Sequence, residues 1–229
     1  MKHSHLFVAL ILATGLALSG VFIYLGIHEL ATMNRVVTVK GLSTRDVKAD
    51  FAVWTLRFTV NGDDLMQLQS DMEKQRQTIF DFLKMKGFAS NEITTGNVNI
   101  SNNFDEYYSH RPEHRYSISC SVVISTNKVD LVVAEQGCQT ELLSQGVVLN
   151  SNFWDVNYQY NGLNQLKPEM IEEATKNARA VAQKFADDSH SRLGGITQAN
   201  QGQFSIEDDT NQSWIKHVRV VTTVNYSLH

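Results

Sequence analysis

The chain has 229 residues, a formal net charge of -4 at pH 7 and a pI near 6.0. No Lys/Arg cluster interleaves with aromatics, so the electrostatic footprint of a nucleic-acid partner is excluded. Two prolines and no Gly/Ser tract argue against a flexible interdomain linker.

The run from Leu6 to Ile27, LFVALILATGLALSGVFIYLGI, holds 22 positions without a charge. As an α-helix it is about 33 Å long, enough to cross a hydrocarbon core of about 30 Å. It predicts one N-terminal transmembrane helix that contacts the lipid bilayer through Leu6 to Ile27. Residues 1–34 then form an anchor and short connector, and residues 35–229 form one exported domain. Lys2 favours the inside, against Arg35 and Lys40 just beyond the other end, and a short tail before a single early span stays inside, so the domain is exported; the expected location is an inner membrane, single-pass, with the domain in the periplasm. The alternative is a signal peptide cut after Ser19, where Ala17-Leu18-Ser19 supplies small residues, leaving a soluble periplasmic protein. Apolar residues 21–25 continue past that point and favour the uncleaved anchor.

Beyond the anchor, residues 35–42 read as a short strand and 47–60 as a longer one. In the second, Trp54, Leu56, Phe58 and Val60 alternate with Thr55, Arg57 and Thr59. Asn61-Gly62-Asp63 breaks it. Residues 64–86 have helical periodicity through Leu65, Leu68, Met72, Ile79 and Leu83, stopped by Gly87. Strands follow over 93–100 and 116–125. The stretch 101–115 between them is either a long hairpin tip or a solvent-facing loop. A second helix spans 128–145, and a strand with Trp154, Val156, Tyr158 and Tyr160 on one face spans 147–160. The third helix spans 166–192, with Pro168 in its first turn. Strands over 196–206 and 215–228 close the chain. The pattern predicts an α+β fold, a mainly antiparallel sheet with three helices packed on it.

Ala174, Ala178, Ala182 and Ala186 recur every four residues, a methyl ridge read as a packing surface. Cys120 shares a strand face with Ile118 and Val122, and Cys138 a helix face with Leu131, Ala134 and Leu142. Both point inward. They are either two small buried hydrophobes or, in an exported protein, a disulfide.

Little in the chain specifies chemistry. His28-Glu29-Leu30-Ala31-Thr32 begins like the zinc helix H-E-x-x-H but ends on Thr32. His110 and His114, near Asp105, Glu106 and Glu113, are the candidate metal ligands, although Pro112 between them opposes helical spacing. The acidic pairs at 63–64, 172–173, 187–188 and 208–209 read as capping or solvated charges. No nucleophile elbow, phosphate loop or dinucleotide fingerprint is present, so no enzyme activity and no cofactor is expected. Phe104, Tyr107 and Tyr108, in a polar loop, are the candidate contacts to another chain.

The segments Val37-Thr38-Val39-Lys40-Gly41 and Val47-Lys48-Ala49-Asp50, the four-spaced alanines, Leu193-Gly194-Gly195-Ile196 and the alternating last strand occur in the order seen in SIMPL-domain proteins. The chain resembles that family, which includes periplasmic immunogenic and oxidative-stress-defence proteins of bacteria. The resemblance spans Arg35 to Leu228 and implies an envelope-located α+β domain that self-associates. It carries no catalytic residues and only a loose link to stress defence. The expected function is therefore a non-enzymatic, membrane-anchored envelope domain forming a homo-oligomer or binding another envelope protein. The alternative is a small-ligand or metal-binding module using the 101–115 loop.

Overall fold

Along the chain the elements follow in the order α1 (Lys2–Met33), β1 (Val36–Lys48), β2 (Phe51–Gly62), α2 (Leu65–Met85), β3 (Ile93–Asn102), β4 (Tyr116–Thr126), α3 (Val129–Glu135), α4 (Gln139–Ser144), β5 (Val156–Gln159), α5 (Leu163–Asp188), β6 (Leu193–Gln201), β7 (Ser205–Asp208) and β8 (Ile215–Leu228). The structure, a computed structural model, describes residues 2–33, 35–105, 112–150 and 155–229. The fold is mixed α+β with antiparallel pairing throughout the second sheet described below.

Five helices are present among the described residues, rather than an anchor and three. The expected helix over 128–145 is two, α3 and α4, interrupted around Gly137, whose helix propensity is poor. The break is held from outside: Lys86 Nζ sits 2.9 Å from carboxylate oxygens of both Glu135 and Glu141. The expected span from Leu6 to Ile27 lies inside α1. Among the described residues no helix is long and apolar enough to cross a membrane.

Several boundaries move for local reasons. The strand expected over 35–42 continues to Lys48, and the next begins at Phe51. Asp50 sits between them and accepts the Asn161 and Gly162 N–H groups at 2.9 Å, which closes a turn where strand was expected. The strand over 147–160 contracts to β5 and an isolated bridge between Phe58 and Leu149; Trp154 lies outside the described residues. The strand over 196–206 is two, β6 and β7. The helix over 166–192 starts earlier, at Leu163, so Pro168 falls in its second turn.

The chain divides into two compact units: Met1–Arg45 with Gln165–Ile206 and Val218–His229, and Asp46–Asn164 with Glu207–His217. In the first unit, α5 packs on strands from a sheet of order β1-β8-β6, with β7 also paired to β8. Ala174, Ala178, Ala182 and Ala186 are all fully buried, with Val39, Val224 and Tyr226 clustered against the ridge. A Cβ on Gly41 would lie 1.8 Å from the Ala174 carbonyl oxygen, so β1 meets α5 backbone to backbone. Asn177 Nδ2 donates to the Leu42 carbonyl at 2.8 Å, and buried Ser43 donates to Glu173 at 2.9 Å.

In the second unit the sheet order is β3-β4-β2-β5. β2 and β4 pair over eleven residues, from Ala52↔Thr126 to Gly62↔Tyr116. One face buries Trp54, Leu56, Phe58, Cys120, Val122 and Ile124 against Ile79, Phe82 and Leu83 of α2 and Val132 and Leu142 of α3 and α4. Both cysteines belong to this core and are free, so the disulfide alternative is corrected. Cys120 lies opposite Phe58 on β4, whereas Cys138 immediately precedes α4. Burial raises both thiols, Cys138 to about 11.

Candidate interaction surface

α2 begins because Asp64 caps it. Its carboxylate accepts the Met66 and Gln67 N–H groups at 2.8 and 3.2 Å. From there the helix packs on β4 and β2 and buries Leu68, Ile79, Phe82 and Leu83. It does not cover β3. The register pairs Val98 with Cys120 and Ile100 with Ile118. Cys120 and Ile118 are each 2% exposed, yet Val98 is 47% and Ile100 60% exposed. One strand sideways, the same sheet face passes from core to solvent.

Leu65 and Met66, in the first turn of α2, are also exposed, at 41% and 77%. With Gln69, Met72, Val98, Ile100 and Ile118 they line a hollow of about 400 Å³. Flanking charges are satisfied locally. Gln67, then Lys74, hold the Asp71 carboxyl below its usual range. Arg76 pairs with Glu73 and donates to Thr95 Oγ1 at 2.9 Å, tying α2 to the start of β3. Residues 93–104 contain no charged side chain.

The opposite character marks the alternate positions. Thr55, Arg57, Asn97, Asn99, Ser119 and Ser121, with Cys120 and Val123, contribute to a shallow cavity of mixed polarity of about 410 Å³. Arg57 is paired with Asp155, and Thr59 and Ser119 hydroxyls are 3.0 Å apart.

The 101–115 stretch is a hairpin tip. β3 and β4 pair as far as Asn102↔Tyr116, and the Asn103 N–H donates to Arg115 O at 2.7 Å. Ser101 and Ser117 hydroxyls lie 2.7 Å apart and both donate to Asn103 Oδ1. Phe104 is half-buried beside this network, its N–H 3.4 Å from Asn102 Oδ1. Tyr107, Tyr108 and His110 lie outside the described residues. His114 Nδ1 is 3.8 Å from Asp63 Oδ2, too long for a hydrogen bond, and has no other polar partner. Among the described residues, no three His, Cys, Asp or Glu side chains are grouped to hold a metal ion.

Elsewhere in the second unit, His217 lies between two carboxylates. Nδ1 is 2.6 Å from Asp46 Oδ1 and Nε2 is 3.2 Å from Asp209 Oδ2. Asp46, then Asp209, raise its pKa by hydrogen bonding to the imidazolium. Asp209 also accepts the Asn211 and Gln212 N–H groups, so the cluster fixes the turn that leads into β8.

Sequence reasoning pointed to the hairpin tip and passed over Met66, Val98 and Ile100. The signal that finds Val98 and Ile100 is the charge-free run 93–104 on a strand, since edge strands are usually guarded by charge.

A family model described as "SIMPL: Protein of unknown function (DUF541)" matches residues 37–217. No curated protein matches the chain. The match takes in the β1 segment with Gly41, the whole sheet of the second unit and the alanine ridge of α5. On this match, which covers most of its length, the chain belongs to the SIMPL family.

Proposed function

We propose that this chain is a non-enzymatic, membrane-tethered domain of the bacterial envelope that assembles with copies of itself through the α2–β3 surface. The observation that carries the reading is the contiguous apolar hollow at Leu65, Met66, Val98 and Ile100. Single exposed hydrophobes need no explanation, but a patch on one face marks a surface to be covered. Covering it gains about 25 cal/mol for each Å² of apolar area removed from water.

The tether is supported by the uncharged run from Leu6 to Ile27 and by the unbroken helix α1 around it. Its large apolar side chains from Leu12 to Ile27 are each more than half exposed. A helix apolar on all sides suits lipid better than an aqueous surface.

Sedimentation of the full chain in detergent, over a wide concentration range, tests the assembly. A mass above one protein copy that grows with concentration is expected. A single-copy mass throughout refutes it. Alkaline carbonate extraction of cell membranes tests the tether: the chain stays in the pellet, and its release into the supernatant refutes anchoring.

A further inference from the structure

β3 is the exposed edge of its sheet: among the described residues it pairs with β4 alone. The other edge of that sheet, β5, is only four residues long. Short edges and edges bearing charge resist pairing with another chain. β3 has neither protection. It is ten residues long and carries no charge and no proline. Its one guarding device is a bulge between Thr95 and Val98, which leaves residues 98–102 regular.

The backbone of that segment has a definite outward side. The Asn103 N–H donates to Arg115 O, so at Asn103 the main chain faces β4. Along an antiparallel strand the N–H and C=O groups of successive residues turn to alternate sides. Asn102, Ile100 and Val98 therefore direct theirs to the open edge. Val98 and Ile100 are also the residues whose side chains line the hollow beside α2. Asn99, between them, lines the shallow cavity with Ser119 and Ser121.

We propose that β3 pairs antiparallel with β3 of a second copy, about a two-fold axis at Asn99, joining the two sheets edge to edge. This rests on the self-association reading and names the surface that performs it. The occupant follows from the strand's own pattern. Asn97-Val98-Asn99-Ile100-Ser101 has the same polarity read in either direction from Asn99. A copy laid across it opposes Val98 to Ile100 of the second copy, and Ile100 to Val98. Each such pair exchanges both of its N–H···O=C bonds. The apolar side chains meet on one face, under Leu65 and Met66, and the two Asn99 amides meet on the other. No charge lies in the segment to repel its like across the axis.

The test uses the full chain in detergent. Val98→Lys/Ile100→Lys places four ammonium groups in the joint while altering only exposed side chains. The sedimenting mass is expected to halve, with the circular dichroism spectrum unchanged. Asn99→Cys is expected to form a disulfide-linked dimer under mild oxidation, because residue 99 faces itself. Asn97→Cys, which faces Ser101 of the second copy, is expected to stay near the wild-type background. If the chain assembles but the lysines leave its mass unchanged and Asn99→Cys does not link, this joint is refuted and self-association stands. If the wild type is single at every concentration, self-association itself is refuted. Capture of a different protein by Asn99→Cys in native membranes, in place of the homodimer, overturns the second copy as occupant.

Discussion

The two long helices of the folded body solve the same problem with opposite side chains. α5 presents four alanines, fully buried, and reaches β1 so closely that residue 41 has no room for a side chain. α2 presents Ile79, Phe82 and Leu83 over its second half and leaves Leu65 and Met66 open in its first turn. Methyl groups allow backbone contact, so the α5 interface closes along its length. Large side chains hold a helix away from its sheet and fill only the strands beneath them. The hollow at β3 is the consequence, and it leaves an apolar surface open to contact with another molecule.

The contrast can be broken most forcefully at Phe82. If large rings carry the α2 interface, Phe82→Ala costs about 3–5 kcal/mol. Chemical denaturation of the full chain measures it, and a loss below about 1 kcal/mol shows that α2 is held by something else. At the α5 interface the opposite change is the damaging one. Gly41→Ala places a methyl against a backbone oxygen that cannot swing aside, with a cost of about 1–3 kcal/mol or more. An unchanged melting temperature removes the backbone-contact account of the ridge.

A smaller effect sharpens the account of the open turn of α2. With Leu65 and Met66 unburied, Asp64 is a main support of that turn, and Asp64→Ala lowers stability by about 1 kcal/mol. Amide hydrogen exchange is expected to quicken at Met66 and Gln67 and to stay slow at Phe82. Uniform quickening over α2 contradicts the division of the helix into a packed and an open half.

The smallest effect distinguishes the units by pH. His217 has a pKa raised above its ordinary 6.5, first by Asp46 and then by Asp209. Its charged pairing is therefore fully present below pH 6.5 and lost as pH rises through the raised value. A slight fall in melting temperature on that alkaline flank is expected, and His217→Asn flattens it. An imidazole titration by NMR with a midpoint at or below 6.5 rejects the clasp.

Periodicity made much of the architecture readable. The alanine spacing named the buried ridge of α5, and the alternation over 215–228 located β8 with both ends correct. What period cannot convey is extent in space. Leu65 belongs to the apolar face of its helix, and only the sheet's width shows that this face overshoots β4. Likewise, helical spacing across 128–145 continues through Gly137, while the turn there depends on Lys86, some fifty residues earlier in the chain. Asp50 read as part of a strand because its partners, Asn161 and Gly162, are remote. For the candidate surface the eye falls on aromatics at 104–108, whereas the missing charges of 93–104 are a quieter signal.

Both thiols of this chain lie in the second unit, and both are sealed. An alkylating reagent can therefore reach them only when that unit opens, and their modification rate becomes a clock for its unfolding. The first unit contains no cysteine and is silent in such an assay. The native protein thus carries a built-in stopwatch for one half of its folded body, with no added label.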